Sequence, residues 1–276
     1  MPRIFRRTAQ GASAESPAGL LESGIDVIGD LAIAKFPDVS LQAKKRMGEA
    51  LMGEMKNVKG VFEQVGGIEG DFRLRKLSHV AGEDRTMTLH KENGCAFKVD
   101  IIKCYYSPRL STERLRIAEM VDRAEHVLNM FAGVGPFSIT IAKKQGARVT
   151  SCELNEYACR LHLENNALNK VGDKIETLCA DASQLPSSVR RKFDRVIMPH
   201  PSRSDCFLKT ALAMCSQGGV IHYYRHVLGR NLGEARSNLV AELESILGEP
   251  SILQVRKARE VGPRWMELVA DIRVTS

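Results

Sequence analysis

The sequence has no apolar stretch of the roughly 18 residues that a membrane-spanning helix requires, so a bilayer span of that kind is not expected. Met1 to Ser16 carries Arg3, Arg6 and Arg7 but no apolar segment behind them, which argues against a secretory signal. Arginine content alone leaves an organellar transit segment open. Residues 1–22 are polar and rich in Ser, Ala and Gly, and are read as a disordered basic tail. No C-x-x-C pair occurs among the seven cysteines. An odd, unpatterned set is the usage of a reduced cytoplasmic protein, without structural disulfides or zinc. No metal site is expected, and no internal repeat is visible.

What remains is enough chain for one large domain or two modest ones: 276 residues, 43% of them hydrophobic. Net charge is +7, from 40 basic and 33 acidic residues, which permits a polyanionic partner without requiring one. Its location says more. Arg73, Arg75, Lys76, Arg85, Lys91, Lys98, Lys103, Arg109, Arg114 and Arg116 crowd one stretch where acids are sparser. A solvated charged face is the plain alternative; an RNA-contacting surface is the reading favoured.

Along the chain, Ile25 to Phe36 reads as two short strands hinged at Gly29-Asp30. Leu41 to Met55 reads as a basic helix with an apolar stripe through Met47, Leu51 and Met55. Val58 to Val65 and Phe72 to Leu77 look like strands, broken by Gly66-Gly67 and Gly70. Thr86 to Glu92 and Cys95 to Lys103 alternate on either side of Asn93-Gly94, the pattern of a β-hairpin. A helix from Thr112 to Val121 follows. Strands then alternate with helices: Val127 to Met130, Arg148 to Glu153, Ile175 to Leu178, Arg195 to Met198 and Val220 to Tyr224 are the strands. Helices are read at Phe137 to Lys144, Asn155 to Leu168, Ser204 to Cys215 and Asn231 to Leu247. That alternation marks a parallel sheet with crossover helices. Ser216 to Gly219 reads as a sharp turn, and Leu253 to Val255 with Met266 to Val274 as an antiparallel closing hairpin.

The chemistry gathers where the parallel strands end. Asn129 to Ser138 runs strand, glycine turn, helix, with Gly133 and Gly135 in the turn and Pro136 at the helix start. Such a turn collects backbone N–H groups and a positive helix end. Glu153 ends the next strand about 20 residues on, where an acid can accept ribose hydroxyls; Asn155 caps the helix after it. Asp181 follows the third strand and Pro199-His200-Pro201 the fourth. The glycine pattern lacks the third glycine of the dinucleotide fingerprint, so the set points to S-adenosylmethionine.

Several stretches carry a resemblance: Val27-Ile28-Gly29-Asp30, Gly70 to Arg75, His90 to Gly94, and Tyr106 to Leu110 running into Glu113-Arg114. Met130 to Ile139, Arg195 to Met198 and Gly218 to Tyr224 complete them. With these the chain resembles the archaeal and eukaryotic tRNA guanosine-37 N1-methyltransferases, in the wider family that includes the wyosine-forming aminocarboxypropyl transferases. The resemblance covers Ile25 to the end. It implies an α/β fold: a Rossmann-like class I S-adenosylmethionine-dependent methyltransferase domain with a smaller, mostly β RNA-binding domain before it. The divisions expected are a tail (1–22), a small α+β tRNA-binding domain (23–105), and a linker helix with the cofactor domain (106–276).

Guanine N1 carries a proton at neutral pH, so its methylation needs a base at N1 and a donor at O6. The resemblance assigns these to Glu113 and Arg73, and stacking on the flipped guanine to Tyr105. Arg109, Pro199, His200 and Pro201 join Tyr105 as substrate-binding candidates. Phe131, Ala132, Gly133, Gly135, Pro136, Phe137, Glu153, Leu154, Asp181, Ala182 and Pro199 are the cofactor-binding candidates. The plain alternatives are a helix-end pair of Glu113 with Arg116, a phosphate contact for Arg73 and a core position for Tyr105.

Three departures stand out. Pro199 replaces the asparagine of an Asn-x-Pro loop, with His200 or the loop carbonyls as substitutes. Asn129 replaces an aspartate, and the separate amino-terminal domain of many members is not apparent. The expected partner is the tRNA anticodon arm, with no membrane, no DNA and a monomeric, cytoplasmic protein. A wyosine-pathway transfer, or a non-catalytic tRNA-binding role, is the competing reading.

Overall fold

The structure, a computed structural model, describes residues 24–275; the predicted tail lies outside the described residues. β1 (Asp26–Ile28) and β2 (Leu31–Ala34) form an antiparallel hairpin across Gly29-Asp30. α1 (Leu41–Glu54) follows, its first turn capped by the Ser40 hydroxyl, which accepts from the Ala43 N–H at 3.3 Å. β3 (Gly60–Glu69) lies parallel to β2, and β4 (Leu74–Gly82) antiparallel to β3, giving a sheet in the order β1-β2-β3-β4. The predicted break at Gly66-Gly67 does not occur. β3 runs through it with a register shift between Gln64 and Ile68, because extra residues in one strand can bulge out without ending the ladder.

β5 (Met87–Glu92) and β6 (Cys95–Asp100) pair across Asn93-Gly94 as expected, with both turn residues at positive φ (48° and 74°). This hairpin is tied to the second half of the chain. In α4 (Glu156–Leu168), the Asn165 side chain accepts from Lys98 N–H at 2.7 Å and donates to its carbonyl at 3.1 Å. Asn169 treats Ala96 the same way, at 2.9 and 2.6 Å. Two amides thus stand in for a third strand and satisfy backbone groups that would otherwise be buried unpaired.

A single turn at Pro108–Leu110 leads into α2 (Ser111–Met120). Beyond it lie β7 (His126–Asn129), α3 (Pro136–Gln145), β8 (Arg148–Glu153), β9 (Ile175–Cys179), a short α5 (Leu185–Ser188) and β10 (Phe193–Met198). The chain continues through α6 (Ser204–Met214), β11 (Cys215–Leu228), α7 (Leu232–Leu247), β12 (Ser251–Gly262) and β13 (Trp265–Arg273). The sheet order is β12-β13-β11-β10-β7-β8-β9, parallel from β11 to β9 and antiparallel at β13 and β12. The order reverses at β7, so the crevice for a ligand opens at the carboxyl ends of β7 and β8.

Buried side chains of the β5–β6 hairpin (Phe97, Val99), α2 (Ile117), α3 (Ile139, Ile141) and β7 (Val127) form one continuous core. The other face of the large sheet packs Leu128, Val196 and Leu268 against Leu208 of α6 and Leu239 of α7. A small third cluster seats Leu51 of α1 on Val61 and Ala81. Among the described residues no helix is long and apolar enough to cross a membrane.

The strand ends differ from expectation in two places. β11 starts at Cys215 and reads through the predicted Ser216–Gly219 turn; β12 spans Ser251 to Gly262, well past Val255. β12 is an edge strand with register shifts at three points, so the period-2 alternation that betrays a strand is lost in its sequence. The expectation of no disulfide is overturned as well. α4 and the end of β9 bring Cys159 and Cys179 together as a disulfide, with Cα atoms 6.0 Å apart. With 20 residues between them, no short spacing motif could announce it.

The crowded cations are corrected too. Arg75 and Arg109 both bind Asp26, Arg85 binds Asp30 and Glu83, Arg114 binds Glu92, and Arg116 binds Glu113 and Asp271. Arg73, Arg75 and Arg114 are buried. Most of the stretch is internal ion pairing; Lys76, Lys91 and Lys103 are among its exposed members.

Candidate functional site

The cofactor wall is built by the loop between β7 and α3. Gly133 and Gly135 take positive φ (55° and 92°), and Pro136 occupies the first turn of α3. The turn is closed underneath by His162 of α4. A Cβ at position 135 would lie 2.4 and 2.5 Å from the His162 ring. At Gly133 the same atom would meet nothing nearer than the Tyr105 carbonyl at 3.7 Å, so the upper side of the loop is open. A glycine cradle closed below and open above fits a ligand lying along the loop.

Glu153, at the end of β8, accepts from the Gly133 N–H at 2.6 Å and from the Asn155 N–H at 2.8 Å. Burial pushes its carboxyl above the usual range, opposed by those N–H donors. Asn155 caps α4 as read from the sequence, accepting from Tyr157 and Ala158. Leu154 beside it is 44% exposed, an apolar side chain held at the crevice. Asp181 spends one oxygen on the Ser183 N–H at 2.8 Å, which with a further bond from Ser183 keeps its carboxyl below the usual range. Ala182 and Phe137 face inward; Phe137 packs edge-on against Tyr224, 6.1 Å between centroids. Asn129 is fully buried and does not reach the crevice. It donates to Ser138 Oγ at 3.0 Å, and Ser138 accepts from Ser151 at 2.7 Å.

The substrate wall lies across from the glycine loop. The Arg73 guanidinium stacks over the Tyr105 ring, 4.5 Å from its centroid. Arg73 is buried, sits at φ 55° in the turn before β4, and its Nε has no partner among the described residues. The Tyr105 hydroxyl accepts from Arg259 of β12 at 2.9 Å; Arg259 also donates to Ser107 Oγ at 3.1 Å and to Glu267 of β13 at 2.7 Å. Burial raises the Glu267 carboxyl, but His226 and Arg259 outweigh it and hold the group below its usual range. A charged carboxylate thus fixes the guanidinium that fixes the ring.

His200 does not stand in for the missing asparagine as a free side chain. Its ring rests edge-on against Phe131, 5.2 Å between centroids, with Nε2 3.4 Å from the Asp71 carbonyl. Burial and the nearby Arg73 charge depress its pKa, so the ring is neutral and Nε2 is the donor. Arg203 grips the Asp71 carboxylate as well. Together they clamp the loop that carries Arg73. Pro201 is buried, and its carbonyl accepts from the His226 N–H at 3.4 Å. Arg109 is turned toward Asp26 (2.6 Å) and does not join this group.

Glu113 is buried in the first turn of α2. Its Oε1 accepts from the Tyr224 hydroxyl at 2.8 Å, and Arg116 bonds both oxygens, at 2.7 Å to Oε1 and 3.0 Å to Oε2. Arg116 also reaches Asp271 at 2.9 Å; Asp271 accepts from His222 Nδ1 at 2.6 Å, and Arg195 donates to His222 Nε2 at 2.8 Å. Burial, with Arg195 and Arg116 close by, lowers the His222 pKa, so a neutral imidazole links two charged groups. The helix-end pair of Glu113 with Arg116 therefore exists, and a tyrosine bonds the same carboxylate.

Sequence reasoning missed Arg116 in this role, Tyr224, Arg259, Glu267, Asp271 and His222. One signal was available. Glu267 and Asp271 interrupt the apolar run of β13 at even spacing, and a buried carboxylate needs a partner.

Residues 88–242 match the family described as the TRM5/TYW2 methyltransferase domain, and residues 9–86 the TYW2 N-terminal domain. The tRNA (guanine(37)-N(1))-methyltransferase Trm5b of Pyrococcus abyssi is 38% identical over 256 residues, covering 92% of this chain and 76% of the relative. A tRNA(Phe) (4-demethylwyosine(37)-C(7)) aminocarboxypropyltransferase of Pyrococcus horikoshii is 30% identical over 248 residues, covering 90% and 87%. Among solved structures, a complex of an archaeal Trm5 with tRNA(Leu) superposes with a TM-score of 0.82 at 37% identity, covering 93% of this chain and 73% of that one.

Proposed function

Since the chain belongs to the TRM5/TYW2 methyltransferase family, we propose that it transfers a methyl group from S-adenosylmethionine to N1 of guanosine 37 in tRNA. The observation that carries this reading is the meeting of two walls. A Gly133–Glu153 cradle suited to the cofactor faces an Arg73–Tyr105 stack suited to a purine. In this reading residues 106–276 form the linker helix and cofactor unit, residues 23–105 help dock the anticodon arm, and the protein acts as a cytoplasmic monomer.

The cofactor, when bound, supplies an electrophilic methyl group. Glu153 would hold its ribose, Leu154 and the Asp181–Ala182 turn its adenine, and the Phe131 to Phe137 loop its methionine end. Arg73 donates to guanine O6, which draws charge onto that oxygen as the ring loses its N1 proton. Glu113 takes that proton as a general base. Both of its oxygens are held by Arg116, so the carboxylate becomes available when that pair yields on substrate binding. Tyr105, steadied by Arg259, stacks on the extruded base. Pro201 and the neutral His200 keep the Arg73 loop against the site.

A second reading, transfer of an aminocarboxypropyl group or methylation of a tricyclic guanosine-37 derivative, is favoured by Pro199, which offers no side-chain amide to a guanine edge. Methyl transfer to paired tRNA transcripts with G37 or A37, read by nucleoside mass spectrometry, separates the two. N1-methylguanosine from the G37 transcript alone is expected. Glu113→Gln and Arg73→Ala each lower that yield sharply with cofactor binding retained. An aminocarboxypropyl product, or loss of cofactor binding in both variants, overturns the assignment.

A further inference from the structure

The polar residues of β13 form a row. Trp265, Glu267, Val269 and Asp271 share one face of the strand, because side chains two apart point the same way. Their cross-strand partners on β11 are Leu228, His226, Tyr224 and His222. Each rung of this row supports something in the substrate site. Asp271 holds Arg116 and through it Glu113; Val269 lies opposite Tyr224, which bonds Glu113; Glu267 holds Arg259 and through it Tyr105. The next rung outward, about 7 Å beyond Glu267 at strand spacing, is Trp265. It is 44% exposed.

Trp265 lies at the carboxyl end of β11, the edge of the sheet where the cofactor crevice opens. Opposite it Leu228 is 45% exposed, and Val261 on β12 is 39% exposed. The turn is fixed from both sides. Arg264 takes φ 61°, and its carbonyl accepts from the Gly229 N–H at 3.0 Å. Two exposed cations flank the aromatic: Arg264, and Arg230, which is paired with Glu234 at 3.0 Å. A half-exposed indole with apolar neighbours and basic residues at its sides has the composition of a platform for single-stranded nucleic acid.

We propose that the β12–β13 turn is an RNA contact. Trp265 stacks on a nucleobase flanking the target nucleotide, and Arg264 and Arg230 face the adjoining phosphates. The assignment rests on the functional reading above. It extends the substrate site by one rung, from the ring that receives the extruded base to a second ring that holds the strand it leaves.

Trp265 is the single tryptophan of the chain, so its fluorescence reports this surface alone. The full chain is titrated with a G37 tRNA transcript while binding is followed independently by filter retention. Quenching that saturates together with binding is expected. Trp265→Ala should raise KM for tRNA about tenfold, with kcat and the KM for S-adenosylmethionine unchanged, and Trp265→Tyr should restore it. Arg264→Gln should lower the slope of log binding constant against log salt by about 0.7. Bound and methylated tRNA with unchanged emission and an unchanged Trp265→Ala KM overturns this contact and leaves the functional reading standing. Emission that follows protein concentration but not RNA assigns the surface to a second copy and overturns it as well. A chain that binds no tRNA overturns both.

Discussion

Gly135→Ala tests the closure of the cofactor loop. The new Cβ would lie 2.4 Å from His162 Cδ2, 2.5 Å from its Nε2 and 3.0 Å from Ile139 Cδ1. His162 and Ile139 are fully buried, so neither ring nor methyl has free space to enter. At φ 92° an L residue also pays for a left-handed backbone, about 1–2 kcal/mol. Forcing side-chain atoms into a packed core adds about 1–3 kcal/mol. The sum, about 2–5 kcal/mol, is a large fraction of the stability of an ordinary domain. Urea unfolding followed by circular dichroism measures it. His162→Ala opens room for the methyl but leaves the backbone strain, so the double variant should recover about 1–3 kcal/mol of the additive expectation. Cofactor affinity, read by calorimetry, should stay impaired in both Gly135 variants, because the loop cannot hold its φ. A Gly135→Ala protein within about 0.5 kcal/mol of the parent, or strict additivity in the cycle, would refute the steric account.

Two further outcomes follow from buried polar groups. Tyr224→Phe keeps the ring against Phe137 but removes the 2.8 Å bond to Glu113; kcat should fall about tenfold, the scale of a hydrogen bond to a charged group. Both KM values should hold, and a matching loss of thermal stability and cofactor binding instead would make the contact merely structural. His162, buried and without a partner for either nitrogen, has its pKa lowered from 6.5 to about 3 by burial. The unfolded chain therefore binds a proton that the folded chain refuses between those values, so stability is full above pH 6.5 and falls as pH drops below it, by about 1 kcal/mol per unit. His162→Leu should flatten the acid limb of a pH series of urea midpoints by one proton's worth; an unchanged slope would remove His162 as its source.

The parts of the site that were legible in the sequence are the ones whose meaning is local. A strand ending in a glycine turn, an acid about 20 residues later and an asparagine before a helix can be read in one dimension, since each group acts where it stands. Glu113 and Arg73 were found only through resemblance, because nothing in their neighbourhoods announces a base or an O6 donor. The support beneath them was not legible at all. Tyr224 meets Glu113 across 111 residues, and Arg259 meets Tyr105 across 154. Those contacts depend on the register of β13 against β11 and β12, which the broken alternation of β12 conceals. The same difference explains the two misread substitutions. Asn129 looked like a cofactor contact that had lost its charge, but it is fully buried and bonded to Ser138, where a carboxylate would have to be desolvated without a cation. His200 looked like a replacement for the asparagine amide, but its ring is spent on the backbone of Asp71. In both cases the residue type was read against the ligand, while burial directs it into the protein. What discriminates one base from another here must then come from Arg73, the carbonyls of the Pro199 loop and the face of Tyr105, which is where a change of substrate would have to be written.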